Sequence, residues 1–476
     1  MIGKLQNFNS CKLVCIANLL TGMKYPKFSV LLACVFFIVN FYSCKKERSD
    51  EAVTPPPVKV NAPVLANAND SAILYTRDLY LWYKQLPQNF NQQSYSDPEK
   101  MMEAIRQYSQ EPGFSAPVDH WSFAMKKDEW DGVSSGIGGD FGMGVSYQAE
   151  DNLRVTYIEK TSPAGRAGIR RGWRISKING SANIAYTNRE QVSNNVYSST
   201  NTSFTFIKPD NTIVDVNLKA SGYQENPIFL DSVYTLGSKK IGYLVFNSFM
   251  GDTTDVYQKF NSLFSRFASQ NVSDLIVDLR YNGGGYVSVQ EKLANYLVTQ
   301  SATGGVMMKQ MFNDKLSEYN ETTNFKKMGS LNTSKIVFIV SNRTASASEL
   351  LINNLKPYMD VTLVGPSNTH GKPVGFFPYP VLDWYIFPVS FRTVNKNGEG
   401  NYFNGINLDI KASDGIDKDW GDLDEASLAM AVRSIAGASF RSKAGEEFKE
   451  IPLINDANKT FDQHSFKGAI DTRRLK

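Results

Sequence analysis

The segment Ile336-Val337-Phe338-Ile339-Val340-Ser341-Asn342-Arg343-Thr344-Ala345-Ser346-Ala347-Ser348-Glu349-Leu350 decides the fold. Its first five residues are apolar and mostly β-branched, which predicts a buried strand. A turn of small polar residues follows, and Leu350, Leu351 and Leu355 then recur at helical spacing. The segment therefore predicts a strand, a turn and a helix, with Ser346 at the helix start.

The position of Ser346 allows two interpretations. The start of a helix offers free backbone N–H groups and the positive end of the helix dipole, so it favours an anion. A nucleophilic serine, which must develop an oxyanion beside it, needs this setting. However, Ser346-Ala347-Ser348-Glu349 also fits Ser-x-x-Glu, the capping box that only stabilises a helix end. The segment alone leaves both interpretations open.

Strand and helix patterns alternate along the chain from about residue 228. The strands are predicted at Ile241–Phe246, Leu275–Arg280 and Val361–Gly365, with helices over 256–267 and 287–298. This order predicts an α/β layered core. Ligands of such sheets bind outside the carboxyl ends of the strands, where the loops after residues 280, 340 and 365 would open together. Those loops contain Gly283-Gly284-Gly285, Ser346, and His370 with Lys372.

A nucleophilic Ser346 needs a base, and the third loop offers two. Of the three histidines, His120 and His464 lie in other segments, so a histidine base would be His370. Lys372 acts as a base only if desolvation lowers its pKa towards neutrality. The apolar stretch from Val374 to Tyr379 would allow this, although a lysine after glycine in a turn is more commonly solvated.

Residues 133–222 change to short strand patterns separated by glycines. The run from Ser162 to Gly180 resembles the PDZ-domain segment Ser-Pro-Ala-x-x-Ala-Gly-Leu-x-x-Gly-Asp-x-Ile-x-x-Ile-Asn-Gly, with Trp173 in place of the aspartate. A PDZ domain binds an extended peptide as an added strand and captures its terminal carboxylate with loop N–H groups. The resemblance places this loop at Phe141-Gly142-Met143-Gly144.

The motifs Asp278–Gly285, Thr344–Glu349 and Thr369–Lys372 follow the PDZ-like segment in one order. Together they resemble the C-terminal processing, or tail-specific, serine proteases, over roughly residues 133–435. Gly405-Ile406-Asn407-Leu408-Asp409 resembles the family's Gly-Ile-x-Pro-Asp, with Leu408 in place of proline. The resemblance implies a protease core over 226–435 that cleaves proteins or peptides without a metal or cofactor. It also implies Ser346 as nucleophile, Lys372 as base, and the N–H groups of Ala347 and Gly284 as the oxyanion hole.

One departure leaves a second function open. Many family members have a glutamine four residues after the lysine, where this chain has Phe376. Retinoid-binding proteins of the related fold show that such a scaffold can serve binding alone. The alternative to a protease is therefore a catalytically inactive peptide- or ligand-binding lipoprotein.

The N-terminal part has the layout of a secretory signal. Met23, the expected true start, opens a short basic region, and the apolar stretch 28–39 is too short to span a bilayer comfortably. Ser43-Cys44 resembles a bacterial lipobox, so we expect Cys44 to be lipidated and the protein to be periplasmic or in the outer membrane. An uncleaved N-terminal anchor is the alternative. All four cysteines lie at or before Cys44, which predicts no disulfide framework.

The remaining segments are a proline-rich tether over 45–69, a helical cap over 70–130 and a polar tail over 436–476. The cap is predicted either to pack on another domain or to be a plain helical spacer. The net charge is only +4 and the chain has no basic face with interleaved aromatics, so no nucleic-acid partner is expected.

Overall fold

The computed structural model describes residues 67–333, 335–437, 461, 466 and 468–472, all of which fall in one compact unit, 55–476. Cys44, the signal and the tether lie outside the described residues, so the predictions made for them stay predictions. Among the helices that are described, none combines the length and the apolar character needed to cross a bilayer.

The cap is built from three helices and two short strands. Its elements are α1 Ala68–Leu79, α2 Pro98–Ile105, β1 Phe123–Lys126, α3 Lys127–Ser135 and β2 Ile137–Gly138. Helix α2 is capped by Asp97, which accepts a hydrogen bond from the Lys100 N–H. Helix α1 ends at Leu79, because the chain becomes extended at Tyr80 and the Leu81 N–H donates to the Val389 carbonyl. Apolar side chains of the cap pack against Val374, Phe376 and Val389.

The PDZ-like region forms a five-stranded antiparallel sheet with its own apolar core. Strands β3 to β7 lie in chain order, so β3 and β7 are the edges. A π-helical turn, Asn194–Ser198, extends the second helix of the region. The elements are β3 Met143–Ala149, β4 Asn152–Ile158, α4 Pro163–Arg166, β5 Arg174–Ile178, α5 Arg189–Ser193, β6 Asn201–Ile207 and β7 Ile213–Lys219.

The remaining elements build two larger sheets and complete two small ones. They are β8 Tyr223–Gln224, β9 Ile228–Leu236, β10 Lys239–Phe246, α6 Thr253–Ser269, β11 Asp274–Asp278, β12 Gly284–Tyr286, α7 Val287–Leu297, β13 Val306–Phe312, β14 Glu321–Asn324, β15 Lys335–Ile339, α8 Ala347–Leu355, β16 Asp360–Gly365, β17 Val374–Phe376, β18 Tyr379–Val381, β19 Trp384–Phe387, β20 Val389–Val394, β21 Ile410–Lys411, α9 Ala426–Ala436 and β22 Gly468–Ile470. Short 3₁₀ turns occur at Tyr83–Gln85, Gln92–Ser94, Tyr186–Asn188, Gln300–Ala302 and Asp314–Tyr319.

The central sheet has the order β21-β16-β15-β11-β10-β9 and is parallel except for β9. Successive residues of β15 point to opposite faces. Ile336 and Phe338 join the core formed with α6, α7 and α8, whereas Val337 and Ile339 join the core formed with α9. Helices therefore cover both faces, and the predicted α/β layered core is confirmed.

A second sheet of six strands, β12-β22-β17-β20-β13-β14, lies beside the loops of the first. Strand β12 begins within the glycine turn, at Gly284, and β17 begins at Val374, two residues after Lys372. A third sheet, β1-β19-β18, joins the cap to this region.

A buried charge cluster connects the PDZ-like region to the core. The Arg280 guanidinium contacts carboxylate oxygens of Asp278 at 2.7 Å, Asp414 at 2.8 Å and Glu425 at 2.9 Å. Arg171, from the PDZ-like region, also contacts Asp414 at 2.8 Å. Burial alone would raise the pKa of Asp414, but the two guanidinium groups hold it well below its usual value. All three carboxylates therefore depend on Arg280.

We predict that Arg280→Met will destabilise the fold by about 3–5 kcal/mol, because it leaves buried carboxylates without their partner. Urea unfolding followed by circular dichroism measures the change. Arg266→Met is the matched control: Arg266 pairs with Asp231 near the surface, so about 0–1 kcal/mol is expected. Equal losses in the two variants would contradict the role assigned to Arg280.

Candidate active site

The three predicted loops come together at the carboxyl ends of β11, β15 and β16, which are parallel neighbours. The Asn282 carbonyl accepts from the Ala345 N–H at 3.1 Å and from the Ser348 hydroxyl at 3.0 Å. The His370 N–H donates to the Thr344 carbonyl at 2.9 Å. Each loop is thus hydrogen-bonded to the segment around Ser346.

Ser346 lies immediately before α8 in a strained conformation. Its φ of 57° with ψ of −110° falls outside the regions that a residue with a side chain ordinarily adopts. The side chain is 1% exposed. It faces the start of the helix as in a capping box, but Oγ makes no hydrogen bond of normal geometry with any residue that the structure describes. The Ser346 side chain is therefore oriented as in a cap, while its buried Oγ has no hydrogen bond of normal geometry.

Glu349 connects the serine to the lysine loop. Its fully buried carboxylate accepts from the Ser346 N–H at 2.8 Å and from the Lys372 N–H at 2.9 Å. It also accepts from the Thr369 hydroxyl and the Gly371 N–H, both at 2.6 Å. Burial raises the pKa of Glu349, and these donors oppose the rise. One carboxylate therefore fixes the backbone on both sides of the site.

Lys372 is buried, with 1% of its surface exposed. It is therefore not a solvated turn residue, which is the more common role of a lysine after glycine. Its Nζ lies 3.4 Å from the centre of the Phe376 ring and 5.7 Å from that of Trp121. Phe376 thus places an aromatic face against the amine of Lys372.

His370 is held in one tautomer by its neighbours. The Trp121 indole can only donate, and its Nε1 lies 3.0 Å from His370 Nε2, which must therefore accept. The other ring nitrogen, Nδ1, lies 3.2 Å from the Asn342 carbonyl and so carries the proton. Because the lone pair of Nε2 already accepts from the indole, His370 is poorly placed to take a proton from Ser346.

The two groups predicted for the oxyanion hole lie beside each other. Ala347 is the first residue of α8, where an N–H has no acceptor within its own helix. Gly284 has a φ of 108°, and a Cβ at this position would lie 3.0 Å from the Ala347 nitrogen. The Gly284 N–H donates to the Asn282 side chain at 2.9 Å. The role of Gly284 in an oxyanion hole stays a prediction. It requires the Gly284 N–H to leave the Asn282 side chain and donate to the substrate oxyanion.

The predicted PDZ loop already holds an internal carboxylate. The Gly142 N–H donates to Asp140 Oδ1 at 2.7 Å, and the Phe141 and Met143 side chains are buried beside Gly144. Burial, together with the neighbouring Glu225 and Asp140, raises the pKa of Glu159 to about 8, against the Asn226 N–H and Lys259. A peptide carboxylate that binds to this loop would therefore have to replace Asp140 as the acceptor of the Gly142 N–H. It would also lie close to other acidic side chains.

Two residues of the site had no functional assignment from sequence. Glu349 was considered only as a cap partner, and the Ser-x-x-Glu spacing that places it next to Ser346 was its signal in the sequence. Trp121 belongs to the cap and is separated from His370 by 249 residues along the chain. No local sequence pattern predicts that these two residues are in contact.

Two family models match parts of the chain. Residues 240–412 match the model of peptidase family S41. Residues 75–123 match the model of the peptidase S41 N-terminal domain.

Relatives described as CtpA-like serine proteases occur in Staphylococcus aureus and Staphylococcus epidermidis. The protein of S. aureus strain bovine RF122 is 29% identical over 259 residues, covering 54% of this chain and 49% of the relative. That of S. epidermidis strain ATCC 35984 is 27% identical over 257 residues, with 53% and 49% covered. The chain thus spans about half the length of these relatives. The crystal structure of a candidate S41 protease from Bacteroides fragilis NCTC 9343 has a TM-score of 0.63 at 21% identity, covering 77% of this chain and 97% of the other, which shows a shared fold.

We predict that Glu349→Gln will destabilise the protein by about 1–3 kcal/mol, because the amide nitrogen cannot accept from the backbone donors it would face. Urea unfolding measures the loss. Glu129→Gln, on an exposed residue, is the control and should change stability by less than about 0.5 kcal/mol. A neutral Glu349→Gln would show that the carboxylate does not hold the loops.

A second prediction concerns Glu159. Its pKa is raised from 4.5 to about 8 in the folded state, so the folded protein binds the proton more tightly than the unfolded chain does. This contribution to stability is present at low pH and is lost as the pH rises through the interval from 4.5 to 8. Glu159→Gln keeps an acceptor for the Asn226 N–H and should flatten that decline. Urea midpoints measured from pH 5 to 8 test this, and parallel curves would refute it.

Proposed function

We propose that this chain is a serine endopeptidase with Ser346 as nucleophile and Lys372 as general base. The observation that carries the proposal is the strained, buried Ser346 whose unpartnered Oγ sits at a helix start, tied through Glu349 to the backbone of a buried lysine. The S41 match and the CtpA-like relatives support the same reaction.

In the proposed reaction, neutral Lys372 takes the proton of Ser346 Oγ as that oxygen attacks the peptide carbonyl. The N–H of Ala347, with one from the glycine turn, stabilises the oxyanion. The lysine then donates its proton to the leaving amine, and water hydrolyses the acyl-enzyme with the same lysine as base. Ser346 Oγ and Lys372 Nζ are not hydrogen-bonded in this structure, so one side chain must rotate when substrate binds.

We also propose that the PDZ-like sheet recruits polypeptides, by their C-termini or as strands along β3, and that a lipid on Cys44 holds the protein in the bacterial cell envelope. The β3 edge supports the first part, because an edge strand is where a peptide can be added. The lipobox-like Ser43-Cys44 supports the second.

A catalytically inactive binding lipoprotein is the second candidate. The contact of Lys372 Nζ with the Phe376 ring favours it, because an aromatic face attracts an ammonium and a base must be neutral.

Labelling of the full chain with a serine-directed phosphonate, together with hydrolysis of a small activated ester, tests the proposal. We predict that Ser346→Ala abolishes both and that Lys372→Ala lowers both by about 10²–10⁴-fold. Lys372→Arg should fail as well, because a guanidinium cannot be deprotonated in this range. His370→Ala should cost much less.

Two outcomes would overturn parts of the proposal. If His370→Ala abolishes turnover and Lys372→Ala retains it, the histidine is the base. If the unmodified protein and Ser346→Ala are equally unreactive, the result supports the catalytically inactive binding lipoprotein over the protease.

A further inference from the structure

The C-terminal tail enters the candidate site as a strand. Strand β22 lies between β12 and β17, parallel to both. The Gly468 N–H donates to the Gly283 carbonyl at 3.0 Å, and the Asp471 N–H donates to the Phe376 carbonyl at 3.1 Å. The tail thus runs between the glycine turn and the strand that follows Lys372.

One carbonyl of this strand lies at the predicted oxyanion hole. A Cβ on Gly284 would be 2.3 Å from the Gly468 oxygen and 3.0 Å from the Ala347 nitrogen, so the carbonyl lies close to both residues. Beyond it, Ile470 is 0% exposed within the apolar cluster of the cap. Asp471 Oδ2 accepts from Gln310 Nε2 at 2.6 Å. The main chain of β22 therefore passes beside the two residues predicted to form the oxyanion hole.

Without β22, strands β12 and β17 would face each other across a slot one strand wide, about 9.5 Å between strand axes from the usual spacing. The contacts made by Gly468 and Asp471 with the slot are main-chain hydrogen bonds, which accept an extended polypeptide with little regard to its sequence. A Cβ on Gly468 would lie 2.3 Å from the Phe466 ring and 3.2 Å from that of Phe376. The Phe466 contact lies within the tail itself. On the slot side, the Phe376 ring favours a small residue at that point, and the apolar cluster around Ile470 favours an aliphatic side chain two residues later.

The same tail also covers the second candidate peptide site. The Phe461 ring stacks on Tyr147 of the edge strand β3, with centres 5.7 Å apart and planes at 19°. It lies 6.1 Å from Tyr197, whose hydroxyl accepts from the Val145 N–H of β3. Phe461 is buried with the core of the PDZ-like sheet. A polypeptide that adds to β3 would meet this ring.

We propose that the chain's own tail, through Phe461, Phe466 and residues 468–471, occupies the polypeptide-binding slot and excludes other polypeptides. The inference rests on the proposed function for its effect on hydrolysis, but occupation of the slot can be tested by binding alone. The ligand of the slot is an extended peptide with a small residue beside Gly284 and an aliphatic residue two positions later.

The test compares the full chain with a chain that ends at residue 460. Hydrolysis of an unfolded protein should be at least about tenfold faster in the shortened chain, because less than about a tenth of the full chain would have an open slot. A synthetic peptide of residues 461–476 should inhibit the shortened chain, and a scrambled peptide should not.

A full-length variant covers the case in which the shortened chain fails to fold. Ile470→Asp places a carboxylate in the apolar cluster and should release the tail, raising hydrolysis in the same direction. Ile213→Asp, at a residue 64% exposed, is the matched control and should have no effect. If Ile470→Asp lowers both hydrolysis and the unfolding midpoint, the tail is a structural strand and the proposal is overturned.

A binding measurement separates the proposal that the tail occupies the slot from the proposal that the chain is a protease. The shortened chain with Ser346→Ala should bind the labelled 461–476 peptide in fluorescence anisotropy, with or without catalysis. Binding with no Ser346-dependent phosphonate labelling in any active-serine variant would reject the protease and keep the tail assignment. Labelling without peptide binding would reject the tail assignment and keep the protease.

Discussion

The carboxylate of Glu349 is the group on which the candidate site depends. A buried carboxylate is unfavourable unless donors surround it, and here the donors are the backbones of Ser346, Gly371 and Lys372 with the Thr369 hydroxyl. Because the buried carboxylate needs these donors, it constrains the positions of the serine loop and the lysine loop. The capping and catalytic interpretations of Ser-x-x-Glu are not exclusive, because the same glutamate that supports the helix start also holds the lysine loop beside the serine.

A second buried network fixes the remaining loop. Arg280 lies between β11 and the glycine turn, and its guanidinium is held by three carboxylates. Arg171 extends the network into the PDZ-like sheet through Asp414 and the Tyr281 hydroxyl. Breaking such a network leaves uncompensated charge in the interior, so the position of Gly284 relative to Ser346 is coupled to the contact between the two regions. The candidate site is thus supported by two buried networks, one around Glu349 and one around Arg280.

Local patterns predicted the core because its strands and helices are regular and repeat their apolar residues. The meeting of the three loops followed from the parallel arrangement of β11, β15 and β16, a rule that needs no knowledge of side-chain contacts. Contacts between distant segments could not be predicted in this way. Trp121 beside His370 has no periodic signal, and Gly468-Ala469-Ile470 is too short and too rich in small residues to indicate a strand.

The choice of base illustrates how such distant contacts change an interpretation. From sequence, His370 and Lys372 were both available, and histidine is the more common base. The indole of Trp121 removes that option by donating to the nitrogen that would accept the proton, while the Asn342 carbonyl fixes the other nitrogen as a donor. This contact supports the proposal that Lys372, and not His370, is the base. Because Trp121 belongs to the cap, the N-terminal region participates in defining the chemistry of the core and is more than a spacer.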